Sequence, residues 1–312
     1  MRAVGFFDFG GPEVLQVLDL PEVQAGLGEV RIRNYAATVN PTDLMARNGA
    51  RAEAMKQDEP PYVPGMEVAG IVDQVGDGVV SEIQVGDHVL GIVVTKAAHG
   101  GYREQISLDA RSVVRIPKDV SFPEACTLPM NGLTARQVLD RLNLSPGQAI
   151  AVTGGAGAFG GYVIQLAKLD GLTVIADAAE NDVSLIEKFG ADIVIRRGLN
   201  FVDEVRKHFS DGVDGLADGA VLRDKAVGAV KDSGAFSSVR GWEGNGERGI
   251  RFETTSVRSY AFENQKLSEL SRRVEEGKLT LRVGATYKPE DAAIAHERLE
   301  AGGMRGRLVI EF

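Results

Sequence analysis

The sequence predicts an α/β protein of two domains, in which a doubly wound parallel sheet follows an antiparallel, barrel-like domain. Three observations support this prediction. The chain has 312 residues, which is longer than a single hydrophobic core usually extends. Up to about Val120 it shows short β-branched runs, and beyond about Phe122 strand patterns alternate with helical ones. Such alternation is typical of βαβ units, whose parallel sheet is covered by helices on both faces.

The first domain is predicted from short β-branched runs separated by Gly, Pro and Asp. We predict strands at residues 1–6, 29–33, 68–72, 88–94 and 112–116. Short strands with turn residues between them are typical of an antiparallel barrel.

The second domain is predicted from strands at 149–153, 173–176, 192–195, 215–217 and 235–239, with helices at 182–189 and 201–209. The C-terminal part adds helices at 266–276 and 289–300 and strands at 279–283 and 307–312, which we expect to return to the first domain. The predicted division is therefore 1–121, 122–262 and 263–312.

A glycine-rich turn is the most specific motif of the chain. Gly155, Gly157 and Gly160 match G-x-G-x-x-G, with an apolar strand pattern before them and an apolar helical stripe after them. In a Rossmann domain such glycines allow a tight turn, close backbone approach to a pyrophosphate, and close contact between helix and strand. Amides at the helix N-terminus would bind the phosphates. We therefore predict a dinucleotide site whose turn also includes Gly154, Ala158 and Phe159.

Composition and charge argue against several classes of protein. The net charge of −9 and the pI near 5.1 disfavour a nucleic-acid partner, because phosphate backbones are bound by clustered Lys and Arg. No run approaches the roughly 20 apolar residues of a membrane span, and the first residues resemble a strand rather than a signal peptide. We therefore expect a cytoplasmic protein with no membrane segment.

The chain has one cysteine, Cys126, and four histidines. A single cysteine excludes an intramolecular disulfide and a multi-cysteine zinc site, and its apolar neighbours predict a buried structural thiol. The histidines lie in unrelated segments without ligand spacing. We interpret them as ordinary surface or core residues: His88, His99, His208 and His296.

Several segments together resemble one enzyme superfamily. They are residues 11–15, 39–43, 63–70, 85–89, 100–102, 133–135 and 303–307, besides the glycine turn. In order and spacing the chain resembles the zinc-independent members of the medium-chain dehydrogenase/reductase superfamily, close to the NADPH quinone oxidoreductases. The resemblance implies a GroES-like barrel beside the Rossmann domain, and a homodimer that acts on a small molecule.

The resemblance also addresses zinc. Alcohol-dehydrogenase-type relatives have a Cys near the position of Asn40, a His at that of Met66, and a Cys close to Met130 or Asn131. An amide and a thioether are poor substitutes for those ligands, so we predict no metal. Without a Lewis acid, alcohol oxidation is disfavoured. We predict hydride transfer from NADPH to a quinone or a similar activated carbonyl.

Asn40 is the first catalytic candidate, because the resemblance places it near the nicotinamide and the substrate. Its alternative is a turn residue, since Asn-Pro commonly forms turns. Asp43 and Tyr62 are weaker catalytic candidates: either could be structural, Tyr62 as a core residue with a bonded hydroxyl. Thr134 resembles a residue that approaches the nicotinamide, and its alternative is a helix cap or turn hydroxyl.

The choice between NADPH and NADH depends on the end of the second Rossmann strand. NAD enzymes place an acid about 20 residues beyond the glycine motif, and Asp177 lies close to that position. The resemblance puts the discriminating residue at Ala178, where a small side chain leaves room for a 2′-phosphate. Arg197 stands where relatives have a Tyr touching that phosphate, and a guanidinium binds phosphate well. The alternative is a solvated pair with Arg196, and the acids after Ala178 would repel a phosphate; we predict NADPH.

Residues 240–249 are rich in glycine and charge and are predicted to form a mobile loop beside the nicotinamide. The loop is either a lid carrying Trp242 or simply exposed. The resemblance implies cofactor contacts from Gly241 in this loop and from Arg305 near the C-terminus. Residues 50–60 are also loop-like.

Three functions stay open at this point. The leading hypothesis is an NADPH-dependent quinone oxidoreductase. The second is a reductase of the C=C bond of alkenals or enones, which needs a proton donor, with Tyr62 or a water as candidates. The third is an NADP-binding redox sensor or scaffold without significant turnover, since a fold does not guarantee a function.

Overall fold

A computed structural model describes residues 1–198 and 200–312 of the chain. The described residues form two compact units. The first comprises Met1–Met130, Ala261–Gly277 and Leu281–Phe312, and the second comprises Asn131–Tyr260 and Lys278–Thr280. Most of the C-terminal part therefore belongs to the first unit.

The N-terminal part of the first unit supplies most of its strands. Its elements are β1 (Arg2–Gly5), β2 (Gln16–Asp19), β3 (Glu29–Val39), α1 (Pro41–Arg47), α2 (Ala52–Met55), β4 (Glu67–Val75), β5 (His88–Ile92), β6 (Gln105–Asp109), β7 (Val113–Arg115) and α3 (Phe122–Ala125).

The second unit alternates strands with helices, and the chain then completes the first unit. The elements are α4 (Pro129–Leu142), β8 (Ala149–Thr153), α5 (Ala158–Leu169), β9 (Thr173–Ala178), α6 (Val183–Lys188), β10 (Ile193–Arg196), α7 (Phe201–His208), β11 (Val213–Asp218), α8 (Asp224–Val227), β12 (Val230–Ser238) and β13 (Arg251–Thr254), followed by α9 (Asn264–Glu275), β14 (Val283–Tyr287), α10 (Ala292–Glu300) and β15 (Arg307–Glu311).

The main sheet of the first unit is antiparallel except for one pair. Its order is β14-β15-β3-β4-β5-β7, with β6 also paired to β3, and β14 and β15 run parallel. Along the first half of β3 the buried Val30 and Ile32 alternate with more exposed residues, because successive side chains of a strand point to opposite faces. They pack with Val68, Val89 and Ile106 in one core. The antiparallel domain predicted from the short strands is confirmed.

The second unit contains a parallel sheet in the order β10-β9-β8-β11-β12-β13. Counted from β8, this is the order 3-2-1-4-5-6 of Rossmann domains. Its core includes Ile175, Val205, Leu216 and Phe236. The strand order reverses between β8 and β11, and ligands of such sheets bind beyond the carboxyl ends of the strands at that point. The doubly wound prediction is confirmed.

The first unit extends past residue 121, where we predicted its end, to Met130. The reason is aromatic packing: the ring of Phe122 on α3 stacks on Tyr35 of β3, with centroids 4.8 Å apart and planes at 11°. The helices formed by the described residues all lack the length and apolar character needed to cross a bilayer.

The predicted strand at 279–283 is wrong, because β14 begins only at Val283. Leu279 is buried, and the amide of Thr280 donates to the side-chain oxygen of Gln165 at 2.9 Å rather than to a neighbouring strand. Residues 279–282 therefore precede the strand instead of forming its start. The predicted loop at 50–60 contains the single turn of α2.

Candidate active site

Asn40 lies where β3 ends and α1 begins. Its backbone is extended, with φ −120° and ψ 152°, and a proline takes the first helical position, where the missing amide hydrogen costs no helical bond. The carboxylate of Asp43 accepts a hydrogen bond from the Asn40 amide at 2.8 Å, as in half of a capping box. The run Asn-Pro-Thr-Asp therefore sets the start of the helix, and the Asn40 side chain is fully buried.

The sheet brings Glu67 and Arg307 to Asn40. These are the first residues of β4 and β15, two of the strands paired with β3, and both strands run antiparallel to it. Arg307 Nη2 donates to Asn40 Oδ1 at 2.6 Å and to Glu67 Oε1 at 2.7 Å. Asn40 Nδ2 donates to the same Glu67 oxygen at 3.2 Å. We call these three residues the Glu67 cluster.

The Glu67 cluster is shielded from water. The side chain of Glu67 is 0% exposed and that of Arg307 is 7% exposed. The second oxygen of Glu67 accepts from the Met130 amide at 2.7 Å, and the hydroxyl of Thr38 donates to the first. A buried ion pair needs such additional hydrogen bonds to offset the loss of hydration. The amide of Asn40 is thus held between a cation and an anion.

The residues around Asn40 do not fit a tetrahedral zinc ion. The Asn40 oxygen faces a guanidinium, and Met66 offers only a thioether, which accepts from Thr42 Oγ1 at 3.2 Å. In the part of the chain that the structure describes, no group of three or more His, Cys, Asp or Glu side chains could hold a metal. Cys126 is fully buried, as predicted, and burial raises the pKa of its thiol.

Asp43 is a buried acid that joins two backbone segments. Besides the Asn40 amide, it accepts from the Gly65 amide at 3.1 Å and from the Tyr102 hydroxyl at 3.2 Å. Burial raises the pKa of this carboxyl to about 6, although the three hydrogen bonds lower it. At Gly65, φ is +98° and a Cβ would lie 2.6 Å from the Tyr102 ring, so the turn requires glycine. These contacts favour the structural alternative for Asp43.

Tyr62 also has structural contacts. Its hydroxyl donates to the Asp58 carbonyl oxygen at 3.0 Å. Its ring stacks on Phe9, with centroids 5.7 Å apart and planes at 13°, and its backbone pairs with Phe6. Because the hydroxyl hydrogen is already donated, the structure favours a packed tyrosine over a proton donor.

The glycine turn precedes α5, with Gly157 as the residue before the helix. A Cβ on Gly155 would lie 3.0 Å from Ile186 and 3.1 Å from Ile164, and one on Gly160 would lie 2.3 Å from the Gly154 carbonyl oxygen. These two glycines therefore serve packing. A Cβ on Gly157 would meet only that same carbonyl oxygen, at 3.1 Å, so the surface in front of Gly157 is open.

Asp177 and Arg197 form an ion pair at the carboxyl end of β9. Arg197 Nε donates to Asp177 Oδ2 at 2.9 Å, and the Gly154 amide donates to Asp177 Oδ1 at 2.6 Å. The Asp177 side chain is 5% exposed, whereas that of Arg197 is 42% exposed. Ala178 is buried beside them. Both carboxylate oxygens of Asp177 are thus hydrogen-bonded, one to the glycine turn and one to Arg197. The guanidinium of Arg197 stays accessible to solvent.

The loop around Gly241 is held to the second unit by an aromatic contact. Gly241 has φ +63°, and the next residue, Trp242, packs edge-on against Phe236 and Phe252 with centroids 5.1 and 5.2 Å away. This packing favours a simple loop over a lid that carries Trp242.

The remaining predicted cofactor residues lie on separate elements. Thr134 is half-buried on α4, and Ala158 and Phe159 open α5. Arg305 is exposed in the segment before β15, in the first unit.

Comparison with known proteins identifies the family. Residues 26–118 match the model of the alcohol dehydrogenase GroES-like domain, and residues 189–310 match that of a zinc-binding dehydrogenase. A 2-methylene-furan-3-one reductase of Solanum lycopersicum is 31% identical over 99% of this chain and 79% of its own length. The chain belongs to the medium-chain dehydrogenase/reductase superfamily. It is accordingly an oxidoreductase.

Further members of the superfamily are similar along their length. A chloroplastic NADPH-dependent alkenal/one oxidoreductase of Arabidopsis thaliana is 31% identical over 99% of this chain and 79% of its own. A quinone oxidoreductase of Rattus norvegicus is 28% identical over 99% and 97%.

Solved structures of the superfamily confirm the fold. An NAD-dependent alcohol dehydrogenase superposes with a TM-score of 0.88 at 31% identity, covering 100% of both chains. A quinone oxidoreductase from Coxiella burnetii gives 0.89 at 28%, covering 100% and 99%. A mycobacterial protein complexed with NADPH gives 0.86 at 28%, covering 100% of both. The GroES-like first unit and the Rossmann-like second unit are therefore those of a medium-chain dehydrogenase/reductase.

Sequence reasoning misses three residues that organise this enzyme. Glu67 and Arg307 lie within the two segments 63–70 and 303–307 that resemble the superfamily, which was the available signal. Asp218 ends β11 and is fully buried. It accepts from the hydroxyls of Thr153 on β8 at 2.6 Å and Ser238 on β12 at 2.9 Å. It thereby ties together three neighbouring strands at their carboxyl ends.

Proposed function

We propose that the protein is an NADPH-dependent reductase that transfers hydride to a small quinone or a similar activated carbonyl compound, without zinc. The observation that supports this most is the donor set around Asn40: an amide and a thioether stand where zinc-dependent relatives have ligands, and a guanidinium faces the amide. Without a Lewis acid an alcohol is a poor hydride donor. An electron-poor acceptor needs less activation, and relatives are named quinone and alkenal/one oxidoreductases.

The glycine turn fits a dinucleotide. The open surface at Gly157 and the N-terminus of the 12-residue α5 leave room and amide donors for a pyrophosphate. Residues 154–160 would hold the pyrophosphate, and Asp177, Ala178 and Arg197 would lie at the adenosine end. When bound, the dinucleotide supplies the hydride.

NADPH is supported over NADH by the pairing of Asp177. The charge of this acid would repel a 2′-phosphate, but Arg197 compensates it and keeps a guanidinium that is 42% exposed. A relative named NADPH-dependent and a neighbour complexed with NADPH agree with this choice. Another neighbour is named NAD-dependent, so the two cofactors should be compared directly.

The chain's own contribution is positioning rather than acid catalysis. Both ends of the Asn40 amide are bonded and its side chain is fully buried, so we propose that Asn40 is a positioning residue within the Glu67 cluster. The hydroxyl of Tyr62 is committed to a backbone carbonyl. The proton that follows the hydride is therefore taken from water, which suits a quinone oxygen.

Reduction of the C=C bond of an alkenal or enone is the second candidate function. It is favoured by two relatives at 31% identity, named 2-methylene-furan-3-one reductase and alkenal/one oxidoreductase. Here the proton goes to carbon, which is slower without a positioned acid.

A steady-state panel tests both functions. NADPH and NADH are each paired with benzoquinones, naphthoquinones, alkenals, cyclic enones and simple alcohols, and protein-bound metal is measured in parallel. Quinone turnover with NADPH supports the proposal, and enone turnover alone favours the second function. Stoichiometric zinc with alcohol turnover would overturn both, and tight NADPH binding without turnover of any acceptor would favour a redox sensor.

A further inference from the structure

Tyr102 and His296 extend the contacts of Asp43 into a buried chain. The Tyr102 hydroxyl lies 3.2 Å from Asp43 Oδ2 and 3.2 Å from His296 Nε2. Tyr102 and His296 are both 0% exposed. His296 lies on α10, so the chain of contacts joins the C-terminal segment to the start of α1. The proposed reaction uses none of these groups.

The hydrogen-bond donors among Asp43, Tyr102 and His296 can be assigned from chemistry. Above its pKa of about 6 the Asp43 carboxyl is ionised and can only accept, so the Tyr102 hydroxyl then donates its single hydrogen to Asp43. The Tyr102 oxygen must then accept from His296, which places a hydrogen on Nε2. Burial, with the nearby charge of Arg47, lowers the pKa of His296 to about 3, so the ring is neutral and its Nδ1 is an acceptor.

Arg47 is close enough to His296 for its charge to lower the pKa of the ring. It is 1% exposed, and its Nη2 is paired with Glu300. Glu300 and His296 are four residues apart on α10 and so share one helix face. Within residues 1–198 and 200–312, Arg47 Nε and Nη1 and His296 Nδ1 have no hydrogen-bond partner. Two buried donors and one buried acceptor therefore lie in the same part of the first unit.

We propose that His296 is a positioning residue, held as the neutral Nε2–H tautomer, and that a buried water joins its Nδ1 to Arg47. The water accepts from the guanidinium and donates to Nδ1. Unpaired buried polar groups are costly, and ordered water is their usual partner. A bound anion fits less well, because Glu300 already neutralises Arg47 and the Nδ1 lone pair would repel it.

The hydrogen bonds that link Asp43, Tyr102 and His296 fix the backbone at two places in or next to the Glu67 cluster. Through Tyr102, His296 orients the Asp43 carboxylate, which bonds the amides of Asn40 and Gly65. Asn40 belongs to the cluster, and Gly65 is two residues before Glu67. The effect on catalysis rests on the proposed function, whereas the tautomer and the water do not.

Nitrogen-15 NMR of the full-length protein tests the tautomer without any activity assay. The spectra are recorded between about pH 7 and 8, above the pKa of about 6 of Asp43, and the exposed His88 and His208 supply reference signals of accessible rings. His296 should stay neutral with its proton on Nε2. A proton on Nδ1, or titration of His296 in this range, would overturn the proposal. A crystal structure should show a solvent peak bonded to both Arg47 and Nδ1; direct contact between them, or an anion there, would overturn the water.

Variants test the positioning role. His296→Gln keeps an N–H donor, and His296→Leu does not. We expect kcat for the active acceptor to fall roughly two- to tenfold in the Leu variant, the equivalent of one hydrogen bond, and to stay near wild type in the Gln variant, with KM for NADPH unchanged in both. Equal losses in the two variants would contradict the role. If no acceptor is turned over, the proposed function fails and the NMR result still decides the tautomer.

Discussion

Each unit contains one carboxylate–guanidinium pair at its candidate site, and the two pairs differ in exposure. Glu67 and Arg307 are 0% and 7% exposed, with further hydrogen bonds on both carboxylate oxygens. Asp177 is equally enclosed, but Arg197 is 42% exposed. A fully buried pair fixes strands and the residues between them, whereas a pair with one solvent-accessible member leaves that member able to contact a ligand.

Breaking the buried pair should have the largest effect. Arg307→Met leaves the Glu67 carboxylate uncompensated, and we expect the free energy of unfolding to fall by about 3–5 kcal/mol. Urea denaturation followed by circular dichroism measures this. The double variant Glu67→Gln/Arg307→Met should recover part of the loss. If the single variant loses less than about 1 kcal/mol, the range of exposed pairs, the Glu67–Arg307 pair does not behave as a buried one.

Filling the open surface of the glycine turn should remove cofactor binding from the second unit. Gly157→Val places a branched side chain where the pyrophosphate is proposed to lie, and NADPH affinity should fall by at least roughly a hundredfold, or about 2.7 kcal/mol. Titration calorimetry measures the affinity, and the melting temperature should stay near wild type.

Gly155→Val is the matched control, because its side chain would meet Ile186 and Ile164 and should destabilise the fold instead. Unchanged NADPH affinity in Gly157→Val would place the phosphates elsewhere.

Removing the exposed guanidinium of Arg197 should change the affinity for NADPH but not the affinity for NADH. Arg197→Ala should weaken NADPH binding by about 1.5–3 kcal/mol, the value of a charged hydrogen bond, nearer the lower figure because the side chain is half exposed. NADH binding should barely change, and the difference should shrink in high salt.

Arg196→Ala, an exposed neighbour, is the matched control and should affect neither cofactor. Equal losses for NADPH and NADH in Arg197→Ala would indicate a structural arginine. No loss for either would leave NADPH without its main support.

The smallest effect concerns the pH dependence contributed by Asp43. Its pKa in the folded protein is about 6, above the ordinary 3.8, so its protonated form is favoured by folding. Its contribution to stability is present below about pH 4 and is lost as the pH rises through 6. The stability of wild type relative to Asp43→Asn should therefore decrease from about pH 4 to pH 7. A constant difference in urea denaturation would argue against the raised pKa.

Local pattern was sufficient for much of the fold. The strand at 149–153 and the turn after it are encoded within a dozen residues, since an apolar run, glycines and an apolar helical stripe follow one another directly. The prediction of a strand at 279–283 was wrong because a strand-like residue pattern says nothing about a hydrogen-bond partner. There, Thr280 bonds to a side chain of α5.

The candidate site could be predicted only in part for the same reason. Asn40 and Asp177 stand in recognisable local contexts, one before a proline and one at the end of a strand. Their partners could not be found this way: Arg307 is distant in sequence from Asn40, and the ion pair of Asp177 with Arg197 depends on the parallel pairing of β9 with β10. Likewise, Tyr62 looks like an available hydroxyl until its bond to Asp58 is seen.

The sequence by itself determined the two-unit α/β architecture, the glycine turn and the superfamily, because periodicity, turn residues and motif spacing are properties of neighbouring residues. Only the tertiary structure decided which charges are buried and which are accessible. Glu67 and Arg307 are paired by strand register, and Asp43, Tyr102 and His296 by packing of the C-terminal segment on α1. Burial and long-range contact set the cost of a charge and the partner of a hydroxyl, and neither is a property of adjacent residues.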